Sequence, residues 1–174
     1  MSYRVFSTPI GRLGLVGGDL GLVEVVIRAT DAEVRAEIGK RFPGAREQAI
    51  PCLVRAQGQL EEYFAGRRTR FDLPLDRRGW SDFRRQVLQH LQELPFATVT
   101  TYKELARRAG SPGAARAVGS VMASNPFAII LPCHRVLGSD GQLRGYSGGE
   151  GPATKAWLLE FERCRRAETE NAPQ

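Results

Sequence analysis

Residues 101–126 read TYKELARRAGSPGAARAVGSVMASNP, and their punctuation decides the fold of the second half of the chain. Thr101 followed three residues later by Glu104 has capping-box spacing, so a short helix is expected to start at Tyr102 and to finish near Gly110, where a residue without a Cβ can take the left-handed turn that ends a helix. Ser111-Pro112 offers a cap and a first-turn proline for a further helix through Ala114, Ala115, Ala117, Val118 and Met122, ended by Asn125-Pro126. Two short helices joined by a glycine-containing turn have the form of a helix-turn-helix, although many such pairs merely pack together in small domains. The second helix is dominated by Ala, Gly and Ser, with Arg116 as its one charged residue. A helix that slim can lie close to a backbone, and it lacks the several Arg, Asn or Gln side chains with which a helix reads base edges in a major groove.

Upstream, Ser81 is placed to cap a helix carrying Phe83, Val87, Leu88 and Leu91, stopped by Pro95. Residues 3–28 alternate the β-prone runs YRVFS, RLGLV and LVEVVIR with turns at Gly17-Gly18 and Asp19-Leu20-Gly21, which predicts an antiparallel meander. Asp31 is expected to cap a helix with Val34, Ile38 and Phe42 on one side, and Pro51 to open another with the stripe Leu53, Ala56, Leu60, Phe64, ending at Gly66. FDLPL, residues 71–75, reads as a short edge strand because its proline cannot donate to a ladder. At Asp76-Arg77-Arg78-Gly79 the pattern changes from strands to helices, which divides the chain into an N-terminal α/β domain, 1–78, and a helical domain, 79–174. Downstream of the opening stretch come an apolar run at 127–131 (FAIIL), then PCHRV at 132–136, a turn signal at 138–141 and a glycine-rich loop, GYSGG, at 145–149. Thr154 is expected to cap a last helix with Trp157, Leu158 and Phe161 inward, and the tail from Arg165 onward is expected to be disordered.

The 174 residues are 42% hydrophobic and 25% charged, a globular composition able to bury a core without a disulfide or metal staple. Cys52, Cys133 and Cys164 are odd in number and widely spaced, which fits neither a disulfide framework nor a zinc site, and no metal is expected. The N-terminus lacks the apolar core of a signal peptide, and no run reaches the roughly 18 apolar residues of a membrane span, so a cytoplasmic protein with no membrane partner is expected. The net charge of +6 favours a polyanionic partner. Residues 101–144 hold six cations (Lys103, Arg107, Arg108, Arg116, Arg135, Arg144) against two anions (Glu104, Asp140), so most of the excess sits there, although Arg-rich helices can also simply present a solvated face.

A cysteine in an apolar run is commonly an inert small hydrophobe, but Cys133 is followed by an imidazole and a guanidinium. Thiolate, not thiol, is the nucleophile, and a basic imidazole with nearby positive charge favours it. If the segment is extended, adjacent side chains point to opposite faces, and Cys133 and His134 communicate only through a water or a bend after Pro132. An imidazole base also needs a partner on its other nitrogen. Glu162, on the last helix beside Phe161, is a candidate for that role and equally a candidate surface carboxylate.

The order PCHRV, the GYSGG loop, Lys155 and WLLEFE (157–162), preceded by TYKELA (101–106) and ARAVGSVMASNP (115–126), resembles the O6-alkylguanine-DNA alkyltransferase (methylated-DNA-protein-cysteine methyltransferase) family. The similarity is continuous from about Phe83 to Glu162, and YFAGRRTRFDLPLD (63–76) shares the family's character. The resemblance implies an α+β fold: a ribonuclease H-like antiparallel-sheet domain, then a mainly helical domain with a helix-turn-helix and the active cysteine. It implies a DNA repair enzyme that needs no cofactor, binds double-stranded DNA containing O6-alkylguanine through the minor groove, flips the damaged nucleotide out and moves the alkyl group irreversibly to its own cysteine. Each molecule acts once, and a monomer is expected.

By the same resemblance, Cys133 is the alkyl acceptor, His134 its water-mediated base, Glu162 the carboxylate that holds His134, and Asn125 the residue that braces the network. Arg116 is the finger that fills the space left by the flipped base, on a DNA-contacting helix face that includes Ala115, Ala117 and Ser120. Tyr102 lies against the backbone phosphate and donates a proton toward the base N3. The guanine pocket comprises Val136 and the loop residues Tyr146, Ser147 and Gly148, with the Ser147 backbone donating to O6 and the Cys133 and Val136 carbonyls accepting from the base amino group. This chain departs from the family pattern at Ala97 and Ser120, where glycine is common, at Gly79-Trp80-Ser81-Asp82, and at Glu150-Gly151-Pro152, which adds a charge and two residues after the loop. Three other classes remain: a non-catalytic relative that flags lesions, a Cys-His-Glu hydrolase, and a helix-turn-helix regulator.

Overall fold

The computed structural model describes residues 1–170, which form two compact units: Met1–Arg78 together with Gly148–Glu150, and Gly79–Ser147 together with the chain from Gly151 onward. In the first unit, β1 (Ser2–Thr8), β2 (Gly11–Gly18) and β3 (Gly21–Arg28) make the expected antiparallel meander, with Thr8 opposite Gly11 and Gly18 opposite Gly21 across the two tight turns. A two-residue strand, β4 (Arg46–Glu47), adds in parallel beside β1, giving the order β3-β2-β1-β4. It is too short and too exposed to leave a hydrophobic pattern in the sequence.

The pleat of β2 divides the work between two helices. A Cβ on Gly14 would run into Val34 and Ile38 of α1 (Asp31–Arg41), so Gly14 and Val16 face α1, while a Cβ on Gly17 would meet Leu53 of α2 (Pro51–Phe64). Leu13 and Leu15, on that second face, are fully buried. The cap of α1 is Thr30, one residue before the expected Asp31: its hydroxyl accepts from the Glu33 N–H while the Glu33 carboxylate accepts from the Thr30 N–H. The buried stripe of α2 ends on Tyr63 rather than Phe64. Gly66, at φ 76°, closes that helix in a Schellman turn, with Gly66 N–H donating to Tyr63 O and Arg67 N–H to Glu62 O. Residues 71–75 are not a strand. Only Leu75 bridges to Leu22, through Leu22 N–H to Pro74 O and Asp76 N–H to Leu22 O, and the close approach requires Gly21, whose Cβ would sit 2.2 Å from the Pro74 oxygen.

The second unit is helical, with α3 (Asp82–Gln92), α4 (Tyr102–Arg108), α5 (Ala115–Ala123) and α6 (Pro152–Glu170) around a two-stranded parallel ribbon of β5 (Thr100–Thr101) and β6 (Val136–Leu137). Ser81 and Thr101 cap α3 and α4 as their positions predict. Ser111 does not cap α5. It is the last member of a Schellman turn, in which Gly110 N–H donates to Arg107 O and Ser111 N–H to Ala106 O. The chain then spends another turn, Ala114 N–H to Ser111 O, so α5 starts at Ala115 without a side-chain cap.

Residues 127–131 are buried but coiled in turns, with Ile129 held at φ 73°. A β-branched residue there costs on the order of 1–3 kcal/mol, which burial of its neighbours must hold in place. PCHRV is not extended either. Pro132 starts a 3₁₀ turn over Cys133–Arg135, with Arg135 N–H donating to Pro132 O and Val136 N–H to Cys133 O. Helix α6 starts before Thr154, which lies inside its first turn and is buried, and it continues as helix through 165–170 where disorder was expected; 171–174 lie outside the described residues. Its buried side carries Lys155, Leu158 and Glu162, whereas Trp157 is 37% exposed and stacks on Phe161. No helix among the described residues is long and apolar enough to cross a membrane.

Candidate active site

The 3₁₀ turn after Pro132 sends Cys133 toward one partner and the next two side chains, His134 and Arg135, toward another. Cys133, 4% exposed, turns toward Asn125, whose Nδ2 donates to its Sγ at 3.2 Å. The same amide group donates to Leu131 O at 2.9 Å, and its Oδ1 accepts from Phe127 N–H at 3.1 Å, so Asn125 ties the sulfur to the turn that follows α5. His134 is fully buried, with Nε2 2.8 Å from Glu162 Oε1. Arg135, also buried, lays its fork on the same carboxylate, Nε to Oε2 at 2.9 Å and NH2 to Oε1 at 2.8 Å, and its NH1 donates to the carbonyls of Leu94 and Pro95.

Ala97 N–H supplies a further donor to Glu162 Oε2 at 3.0 Å, so at least four donors meet this carboxylate. Burial alone would raise its pKa, but the hydrogen bonds and charges of His134 and Arg135 carry it down to about 2. An ionised carboxylate only accepts, so His134 Nε2 must hold the proton, and the neutral ring presents a basic lone pair on Nδ1. Nδ1 is buried and hydrogen-bonded to no protein atom among the described residues. Burial lowers the His134 pKa, with the Glu162 hydrogen bond opposing, which keeps the ring neutral and able to take a proton.

Burial pushes the Cys133 thiol up from its ordinary value, while the Asn125 donor and the positive charge of Lys155 pull it back. Lys155, with no solvent exposure, donates to Val136 O at 2.6 Å and lies 5.9 Å from the Tyr102 ring centroid. Tyr102 also lines a cavity of about 640 Å³, together with Ala115, Arg116, Gly119, Met122, Ala123 and the 144–147 segment of the loop; Cys133, His134 and Asn125 are not in its lining. Burial raises the pKa of both phenols that reach this region, Tyr102 and Tyr146, and a negative sulfur on Cys133 raises them further. Both therefore keep their protons.

The structure joins Cys133, Asn125, His134 and Glu162 by hydrogen bonds or sequence adjacency, and places Tyr102, Ala115, Arg116, Tyr146 and Ser147 around the cavity. Arg116 is exposed and pairs with no carboxylate among the described residues. Ala117 and Ser120 are exposed on α5 but do not line the cavity. The Val136 carbonyl already receives Lys155, and the Cys133 carbonyl already receives the Val136 N–H, so each has one lone pair left for a ligand. Gly148 is buried and packs with the first unit. Sequence reasoning gave no role to Arg135 or to Lys155. Their signal was a charge in an otherwise apolar setting: Arg135 in the run ILPCHRVL, and Lys155 on the face of α6 that carries Leu158.

Two family descriptions match almost the whole chain. Residues 1–77 match the 6-O-methylguanine DNA methyltransferase ribonuclease-like domain, and residues 82–164 match the DNA binding domain of the same enzyme. The chain belongs to the methylated-DNA-protein-cysteine methyltransferase family. Relatives of that name include those of Mycolicibacterium paratuberculosis, 42% identical with 94% of this chain and 93% of the relative covered, and Mycobacterium leprae, 48% identical with 92% and 91% covered. Among solved structures, Mycobacterium tuberculosis OGT in complex with DNA matches with a TM-score of 0.79 and 40% identity over 95% of this chain and 94% of that one. Membership of this methyltransferase family agrees with an α+β fold of a ribonuclease-like domain and a helical DNA-binding domain.

Proposed function

We propose that the protein repairs DNA by moving an alkyl group from guanine O6 onto Cys133 in a single, irreversible turnover, with residues 79–174 as the catalytic and DNA-binding domain. The observation that carries the reading is a thiol held by Asn125 and followed in sequence by a carboxylate-oriented imidazole, a thiol whose charge when ionised is felt by Tyr102 and Tyr146 in the lining of a cavity walled by the slim helix α5. Acting as a monomer, the protein lays α5 in the minor groove of duplex DNA, where the small side chains of Ala115, Ala117 and Ser120 permit close approach and sequence information is degenerate. Arg116 enters the stack as the alkylated nucleotide swings out, offsetting part of the few kcal/mol that extrusion costs.

His134 takes the thiol proton on Nδ1 through an intervening water, and Glu162 stabilises the resulting imidazolium. The sulfur electron pair forms the S–C bond, the C–O6 bond breaks, and O6 keeps that pair. Tyr102, kept protonated by its surroundings, donates toward base N3, and the Ser147 backbone N–H donates to O6, so the charge growing on the base is offset as it develops. Tyr146 completes the pocket, and the free lone pairs of the Cys133 and Val136 carbonyls receive the base amino group. In net terms, the proton lost by sulfur is regained by guanine.

The test is incubation with duplex DNA carrying labelled O6-methylguanine, followed by peptide mapping. Label on the Cys133 peptide, absent from Cys133→Ala, is the expected result. Binding without transfer would favour a lesion-flagging protein, and label released into solution would favour a hydrolase.

A further inference from the structure

We propose that Arg84, seated on Trp80, is a positioning residue for the Cys133 thiol and acts through the Ser124-Asn125 peptide. The last turn of α5 leaves carbonyls without helical partners. Arg84, in the first turn of α3, reaches across to one of them, NH2 donating to Ser124 O at 2.6 Å and NH1 to Ser124 Oγ at 3.0 Å. Its guanidinium lies over the Trp80 ring at 5.4 Å, and the Trp80 ring is 5.9 Å from that of fully buried Phe127. The pair therefore grips the chain at 124 and at 127, on either side of Asn125.

The consequence follows from covalent geometry. Ser124 O belongs to the peptide group whose nitrogen is that of Asn125, so fixing the carbonyl fixes the plane from which the Asn125 side chain departs. That side chain holds Leu131 O, Phe127 N–H and the sulfur at once. A tilt of the peptide plane would turn the Nδ2 donor away from Sγ, now 3.2 Å off, and a hydrogen bond weakens as its donor is misaligned. Arg84 also bears a cost that a solvated arginine would not. Its Nε is buried without a partner, burial lowers its pKa, and it pairs with no carboxylate among the described residues. A half-buried fork directed at the carbonyl and the hydroxyl of one serine is a device for orientation rather than charge pairing. Trp80 lies in Gly79-Trp80-Ser81-Asp82, a stretch that set this chain apart in sequence and that the proposed repair chemistry leaves without a role.

The inference rests on the proposed function for its first readout and is independent of it for the second. Arg84→Ala, Arg84→Lys, Asn125→Ala and the Arg84→Ala/Asn125→Ala double variant are compared with the unaltered protein. The first readout is saturation kinetics of benzyl transfer from free O6-benzylguanine without DNA; the second is carboxamidomethylation of Cys133 by iodoacetamide, read by peptide mass spectrometry. Arg84→Ala is expected to lower the saturated rate on the order of tenfold, the size of one lost charge-assisted hydrogen bond, with half-saturation changed by less than about twofold. Arg84→Lys, which keeps one donor, should recover part of the rate and serves in the same cycle where the alanine variant does not fold. In the Asn125→Ala background the Arg84 change should add less than about twofold, because its route to the sulfur is already cut. An unchanged rate in a folded Arg84 variant, a loss of full size in the Asn125→Ala background, or a loss seen only with duplex substrate overturns the proposal. If the unaltered protein accepts no benzyl group, the labelled-duplex test alone decides the repair function, and the iodoacetamide cycle still decides for or against Arg84.

Discussion

Replacing Glu162 by glutamine keeps the shape of the side chain and removes its charge, and the structure sets the cost. The native carboxylate is 1% exposed and receives His134, two arms of Arg135 and the Ala97 N–H. An amide offers one oxygen and brings two donors of its own, so part of this set of donors would face an NH₂ group. Arg135 would also keep its charge in a buried place without a counter-ion. Removing one partner of such a pair costs about 3–5 kcal/mol, which corresponds to a fall of roughly 1–3 M in the urea midpoint of a small protein. Catalysis should lose more than stability. Without an obligate acceptor at Nε2 the ring can take the tautomer that points N–H at the thiol, and losses of about 10²–10⁴ follow when a base is missing or misdirected. The assay is single-turnover transfer from labelled duplex near neutral pH, run where circular dichroism shows the variant folded. An Arg135→Met/Glu162→Leu double replacement should regain part of the stability, since two apolar side chains replace a buried ion pair, and none of the rate. A folded Glu162→Gln protein that transfers within about threefold of native would refute the reasoning.

Arg116→Ala should slow repair of duplex DNA far more than reaction with free O6-benzylguanine; equal losses would contradict a role in extrusion. Tyr102→Phe should slow transfer by about tenfold or more without weakening DNA binding comparably, and an unchanged rate would remove the phenol as proton donor. Lys155→Met takes away the donor to Val136 O and the cation that favours ionised sulfur, so the pH profile for alkylation of Cys133 should move to higher pH. His134 has a folded pKa below its ordinary 6.5, set first by burial, so the unfolded chain binds this proton at higher pH than the folded one. The stability held in the neutral buried ring is present above pH 6.5 and declines as pH falls. The same protonation removes the Nδ1 lone pair, so transfer rate and denaturation midpoint should drop together on acidification; a rate that holds or rises while the protein loses stability would contradict the base assignment.

Much of the fold could be read because its signals are local. Strand alternation between Tyr3 and Arg28, the caps Ser81 and Thr101, and the glycines after α2 and α4 each act through neighbours a few residues away. Ser111 misled for the same reason in reverse: Ser-Pro favours a helix start, but the preceding Schellman turn had already used it. Other features depend on partners far along the chain. Leu75 meets Leu22 at a single bridge, and Ile129 takes a left-handed conformation that β-branching argues against. On α6 an apolar pattern turned Trp157 inward, whereas the buried stripe is Lys155, Leu158 and Glu162, a spacing any hydrophobicity scale discards because two of its members are charged. Cys133 and His134 stood out by composition, but the donor shell around Glu162 comes from Leu94, Pro95 and Ala97 positioning Arg135 and the carboxylate across a long sequence separation.

The central claim is that one sulfur captures one alkyl group and keeps it. Mixing the protein with an excess of duplex carrying labelled O6-methylguanine and counting methyl groups removed per molecule over time tests this directly. The account predicts a single burst that stops at one equivalent, with all of the label on protein. Continued loss beyond one equivalent, or a burst of normal size in Cys133→Ala, would contradict it.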